Sequence, residues 1–218
     1  MKLPFTTDQF LRVFSEYNQK IFPMQIIFYL AAFSAVYLIF VKNKYSGKII
    51  SLVISIFWLW VGIVYHIIFF SSINKAAYVF GSLFILEGLM IFIFGFIQDK
   101  LVFGNGKNIY SRTGIIFIVY ALIIYPVLGY FFGRVFPYSI TLGLPCPTTI
   151  FTFGMLLLSE KKMPLAILII PLLWSILGFT AALNFSVYED FGLILSGLIG
   201  FVMLVIRDRR IKLRAEAA

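Results

Sequence analysis

The chain has 218 residues, of which 61% are hydrophobic, 19% aromatic and only 12% charged, whereas a soluble domain carries about 25% charged residues to keep its surface in water. That composition excludes a soluble domain, an intrinsically disordered chain and a secreted disulfide scaffold, the last also because Cys146 is the sole cysteine. The net charge of +9 is then read as an uneven division of Lys and Arg across a bilayer, with no nucleic-acid partner.

The leader, residues 1–20, contains Thr6-Thr7-Asp8-Gln9, a capping box with Thr6 as cap and Gln9 three residues on, so a helix starts here. Phe10, Phe14 and Tyr17 recur at helical spacing opposite Asp8, Arg12, Glu16 and Gln19. This is the pattern of an amphipathic helix lying in the outer headgroup layer, and a short solvent-exposed lead-in is the alternative. No basic segment or cleavage site precedes the first apolar run, which is therefore read as a retained anchor.

Seven apolar runs follow, at about 21–41, 49–72, 76–97, 114–133, 141–158, 164–184 and 190–206. Each is near the roughly 20 residues a helix needs to cross a bilayer, while membrane strands would be about 10 residues long and alternate in polarity. The fifth run is interrupted by Pro145 and Pro147 and is read as a broken or re-entrant span, the count falling to six if it does not cross. The expected fold is an all-α integral membrane bundle of seven transmembrane helices over residues 21–206, ending in a basic cytoplasmic tail at 207–218.

Alternate loops set the orientation, because Lys- and Arg-rich loops stay in the cytoplasm. Lys42, Lys44, Lys48, Lys100, Lys107, Arg112, Lys161, Lys162, Arg207, Arg209, Arg210, Lys212 and Arg214 fall on one side. Lys2, Arg12, Lys20, Lys75 and Arg134 fall on the other, with Glu189 and Asp190 in the last outer loop. The partition predicts N-out and C-in, in a multi-pass protein of the cell membrane. The tail is expected to lie on anionic lipid of the inner leaflet.

An ionisable residue in mid-membrane requires a partner or a function. Glu87 is the carboxylate that the seven-span reading places there, with its Cα about 16 Å below the outer surface. It either carries a proton or contacts a cation, or it is a protonated helix-to-helix hydrogen-bonding group. His66, the sole histidine, follows Tyr65 in span two, and the hairpin to span three lets it reach Glu87 directly or through one water if the two face each other. A structural helix-to-helix role is the alternative for His66 as well. In Gly143-Leu144-Pro145-Cys146-Pro147-Thr148-Thr149, the prolines predict extended Leu144 and Cys146 and a helix beginning at Pro147. Free N–H groups at Thr148 and Thr149 would then suit an anion or polar ligand; a kinked span entry with Thr back-bonding is the alternative. Tyr125, before Pro126, and Trp174, after Pro171, together with Thr180 and Asn184, line a cavity or form the aromatic belt.

Several identities fail on elementary requirements. Residues 190–206 contain no lysine, which excludes a retinal Schiff base, and one histidine cannot build a zinc hydrolase site or a bis-His haem within one chain. Gly104-Asn105-Gly106-Lys107 lacks the P-loop spacing. No cofactor is implied, and whether Cys146 takes part in a metal site is left open.

The stretches PFTTDQFLRVFSEYNQ, WLWVGIVYHIIFFSSINKAAYVFG and GLPCPTTIFTFG resemble an uncharacterised family of small bacterial multi-spanning membrane proteins, over nearly the whole chain. The resemblance implies the bacterial inner membrane and supplies no activity. On the residues themselves, the first functional reading is transport or binding of a small solute in an outward-opening intramembrane pocket built from Glu87, His66, Tyr65, Cys146, Thr148, Thr149, Tyr125 and Trp174. The others are an accessory or receptor-like subunit without transport and a membrane enzyme using Cys146 and His66. A homo-oligomer is compatible with each.

Overall fold

The computed structural model describes residues 5–41 and 43–216; of the basic residues counted above, Lys2 and Lys42 lie outside them, as does the Arg214 side chain. The described residues form eight helices and no strand, with two isolated bridges pairing Phe103 with Ser159 and Leu142 with Leu144. Helix α1 (Thr7–Ile21) begins at the expected capping box: Thr6 Oγ1 accepts from the Gln9 N–H at 3.2 Å and Gln9 Oε1 accepts from the Thr6 N–H at 2.8 Å. Its apolar face is taken up by protein, with Phe10, Val13, Phe14 and Tyr17 buried. The Tyr17 hydroxyl donates to the Gly143 carbonyl at 2.5 Å and accepts from Trp60 Nε1 at 2.9 Å, and Asn18 Nδ2 donates to the Pro137 and Ser139 carbonyls at 2.7 Å each.

At Pro23 the chain turns by 83° into α2 (Met24–Phe40). Helix α3 (Ser46–Ser72) is α-helical to Trp60, π-helical over Val61–Phe69 and closes in a 3-10 turn, and α4 (Ala77–Ile97) also ends in a π-helical stretch. Helix α5 (Ile109–Phe131) starts at Asn108, whose side chain accepts from the Ser111 N–H, and has a π-helical turn at Tyr120–Ile124. Next come α6 (Pro145–Leu157), α7 (Ala166–Phe185) and, through a 3-10 turn at Tyr188–Asp190, α8 (Phe191–Glu216).

Helices in lipid associate through close packing and interhelical hydrogen bonds, because burial from water supplies no drive there. Two glycine pairs provide the close approach. A Cβ on Gly62 of α3 would sit 2.8 Å from the Gly81 carbonyl of α4, and one on Gly114 of α5 would sit 2.6 Å from the Gly154 carbonyl of α6. Hydrogen bonds add specificity: Ser55 Oγ donates to the Gly88 carbonyl across α3 and α4, and Trp58 Nε1 donates to Thr152 Oγ1 across α3 and α6, at 2.8 and 2.9 Å.

Among the described residues five helices are long and apolar enough to cross a membrane, namely α3, α4, α5, α7 and the stretch Tyr188–Leu213, or six with the bent α1–α2 pair as one span. Seven separate full-length spans are therefore not what the structure contains. Segment 141–158 yields only the 13 residues of α6, about 20 Å of helix against a hydrocarbon core of about 30 Å. Twelve of those 13 residues are buried in protein, as irregular backbone at membrane depth requires. The tail also differs from expectation. Helix α8 runs straight through it, and Arg207 is buried, donating to the carbonyls of Leu156, Ser159 and Lys161 and to Asp208.

Candidate functional site

A cavity of about 220 Å³ lies beneath α1. Phe10 and Phe14 of α1, Tyr65 and Phe70 of α3, Phe80 of α4, and Trp174 and Phe185 of α7 contribute aromatic wall, and Tyr125, Cys146 and Asp190 contribute polar groups. Sequence explains the gathering. The π-helical stretch of α3 brings residues five apart onto one face, so Tyr65 and Phe70 stack at 5.8 Å with rings 10° apart. The π-helical turn of α5 does the same for Tyr120 and Tyr125, whose rings are 6.2 Å apart.

Both tyrosines meet the turn between α7 and α8. Ser186 adopts a left-handed conformation (φ 56°) that ends α7, and the 3-10 turn after it directs Glu189 and Asp190 inward. Tyr125 donates to Asp190 Oδ1 at 2.6 Å, the Cys146 thiol donates to Oδ2 at 3.5 Å, and Tyr120 donates to the Glu189 carbonyl at 2.8 Å. Arg134 donates to both carboxylate oxygens of Glu189 and, at 3.2 Å, to the Ser186 carbonyl. Glu189 and Asp190 are thus buried acids in what the sequence reading assigned to the last outer loop. Two features of the sequence carried that signal: an acidic pair directly before an apolar run, and two tyrosines at a five-residue spacing.

Four of the eight expected site residues, Tyr65, Tyr125, Cys146 and Trp174, line the cavity, and Thr180 joins them. The other four, Glu87, His66, Thr148 and Thr149, do not. His66 is buried among aromatic rings, with Phe84 at 4.8 Å and Trp174 at 5.1 Å, and neither ring nitrogen has a hydrogen-bond partner. Glu87 is fully buried on α4 with neither carboxyl oxygen hydrogen-bonded, so the expected direct bond to His66 is not made. Trp174 Nε1 and Thr148 Oγ1 are likewise buried without a partner.

The start of α6 corrects a further expectation. Leu144 is extended, but the helix begins at Pro145 and includes Cys146, because first-turn N–H groups have no intrahelical partner and proline is tolerated there. The Thr148 N–H bonds the Leu144 carbonyl at 3.2 Å and the Thr149 hydroxyl bonds the Pro145 carbonyl at 2.9 Å. The expected anion site on free Thr148 and Thr149 groups is therefore closed for the Thr148 N–H and the Thr149 hydroxyl. A Cys–His catalytic pair is not formed either: the thiol partner is Asp190, and His66 has none. Among the described residues no three His, Cys, Asp or Glu side chains gather to hold a metal ion.

Helices of bilayer length, apolar around their circumference and tied by buried polar contacts, define a membrane-embedded all-helical protein. It belongs to a family of unknown function (DUF6064), whose match spans residues 7–215. No curated protein and no solved structure matches the chain.

Proposed function

We propose that the protein binds a small solute in the cavity beneath α1 and passes it across the cell membrane. One observation carries this reading: a cavity of about 220 Å³ inside a bundle of membrane helices, with a hydrogen-bonded carboxyl group on its wall. Buried space with a few converging polar groups is the usual form of a ligand site.

The proposed topology is N-out and C-in with seven crossings. Hydrogen bonds tie the loop after α4 to the loop after α6, through Gly104 to Leu158 and Val102 to Glu160, and tie Arg207 of α8 to the latter loop. This is where the basic residues concentrate, as a cytoplasmic face requires. The fifth crossing is shared between α6 and the non-helical residues before it, which together are long enough for the hydrocarbon core at about 3.3 Å per extended residue. Exposed Arg209 and Arg210 rest on anionic lipid, contributing about 1 kcal/mol each. The location is the bacterial inner membrane.

A second reading, a receptor-like or accessory subunit that binds without transport, is favoured by α6, which is buried in protein over twelve of its 13 residues. Cys146, the sole cysteine, lines the cavity and so reports on both. In right-side-out vesicles a small membrane-impermeant methanethiosulfonate should label it from outside. Labelling only from inside, or only after denaturation, overturns the outward-opening pocket. Solute that protects Cys146 yet never accumulates in proteoliposomes selects the second reading.

A further inference from the structure

The charge on the cavity wall is one-sided. Of the 19 described residues that line it nine are aromatic, one is an acid, and none is Lys, Arg or His. The acid, Asp190, is 1% exposed and accepts hydrogen bonds from two uncharged donors, Tyr125 and Cys146. Arg134, the cation at this end that reaches a buried acid, is engaged by Glu189, so that pair is neutral by itself. Among the described residues an ionised Asp190 has no positive charge of its own. A buried carboxylate is strongly disfavoured until a cation joins it, and aromatic rings attract cations through their quadrupoles.

The alternatives fit less well. An anion would be repelled by an ionised Asp190 and would find no described cation on the wall. A hard metal ion needs six or more oxygen ligands, whereas the described wall offers one carboxylate and the neutral hydroxyls of Tyr65, Tyr125 and Thr180, the Asn74 amide oxygen already accepting from the Ala76 N–H. A neutral apolar solute satisfies the rings and leaves the acid uncompensated.

We propose that the cavity takes an organic cation, a small alkyl- or arylammonium, with Asp190 as its counter-ion and the rings of Tyr65, Phe70, Phe80 and Trp174 as its cage. This inference rests on the reading of the cavity as a solute pocket, and its test separates the two. The full-length protein in lipid nanodiscs is titrated with choline and benzyltrimethylammonium, and with 3,3-dimethylbutanol, which has the shape of choline without the charge. Binding is read by thermal stabilisation and by quenching of tryptophan fluorescence. The cations are expected to bind on the order of tenfold more tightly than the alcohol, and Asp190→Asn is expected to lower that ratio by about threefold or more, leaving the part due to the rings. If the alcohol binds as well as choline, the cation class is wrong while the pocket stands. If no probe binds, the pocket reading falls as well. The wild-type comparison decides the matter even if Asp190→Asn does not fold.

Discussion

Glu87 is the side chain whose replacement should raise stability. It is fully buried on α4, and neither of its oxygens is hydrogen-bonded. A buried polar group without a partner costs about 1–3 kcal/mol, and Met fills nearly the same volume without polar oxygens, so little repacking is needed. Glu87→Met is therefore expected to stabilise by about 1–3 kcal/mol, which for a chain of this length raises the unfolding midpoint by roughly 2–4 °C per kcal/mol. Glu87→Gln keeps the unpartnered polar group and should move the midpoint little. Glu87→Ala removes the acid but opens a cavity, and these effects oppose each other. The measurement is thermal unfolding in nanodiscs, followed by the fluorescence of Trp58, Trp60 and Trp174. A Glu87→Met midpoint well below wild type would refute the reasoning, because it would mean that water-mediated hydrogen bonds hold the carboxyl group. A higher midpoint accompanied by lost flux would identify Glu87 as a residue kept for function at the expense of stability.

Arg134→Met leaves Glu189 as a buried charge without its partner and should cost about 3–5 kcal/mol; Arg134→Met with Glu189→Leu should recover most of it, and a double variant no better than the single one would contradict a closed ion pair. Tyr17→Phe strands Trp60 Nε1 and the Gly143 carbonyl, so a loss of about 1–3 kcal/mol in thermal unfolding is expected, and an unchanged midpoint would show that α1 is not docked through this hydroxyl. Gly114→Ala places a methyl group against the Gly154 backbone and should lower stability by about 1–3 kcal/mol; a neutral result in the same assay would mean that α5 and α6 can separate freely.

The helical class, the membrane setting and the capping box of α1 were legible because each follows from local pattern: apolar runs of bilayer length, and a Thr three residues before a Gln. Orientation of the α1 face was not, since an apolar stripe of Phe10, Phe14 and Tyr17 suits lipid and protein equally. The span count was legible only in part, because hydropathy measures a run of apolar residues and says nothing of how much of it is helix; Gly143, at φ 95°, and the two prolines leave 141–158 with only 13 helical residues. Tyr65, Tyr125, Cys146 and Trp174 emerged as an aromatic and thiol set at similar depth. Asp190 did not, because it was counted with the last outer loop in the charge partition, and only the turn after Ser186 directs it inward.

Among the described residues the two buried acids without a cationic partner differ in a way that separates a ligand-facing group from a merely buried one. Asp190 receives a bond from Tyr125 and another from Cys146 and borders open space, whereas Glu87 receives none and does not. Removing the Asp190 carboxylate would leave the Tyr125 hydroxyl unpaired, so Asp190→Leu should destabilise where Glu87→Met stabilises. The opposite signs follow from hydrogen bonding alone and hold whatever the solute is. A carboxyl group that the fold pays to pre-organise against a cavity is positioned for something that enters it, while an unbonded one deep in a helix face is tolerated at a cost. Under this distinction, the initial weight placed on Glu87 as the binding acid moves to Asp190.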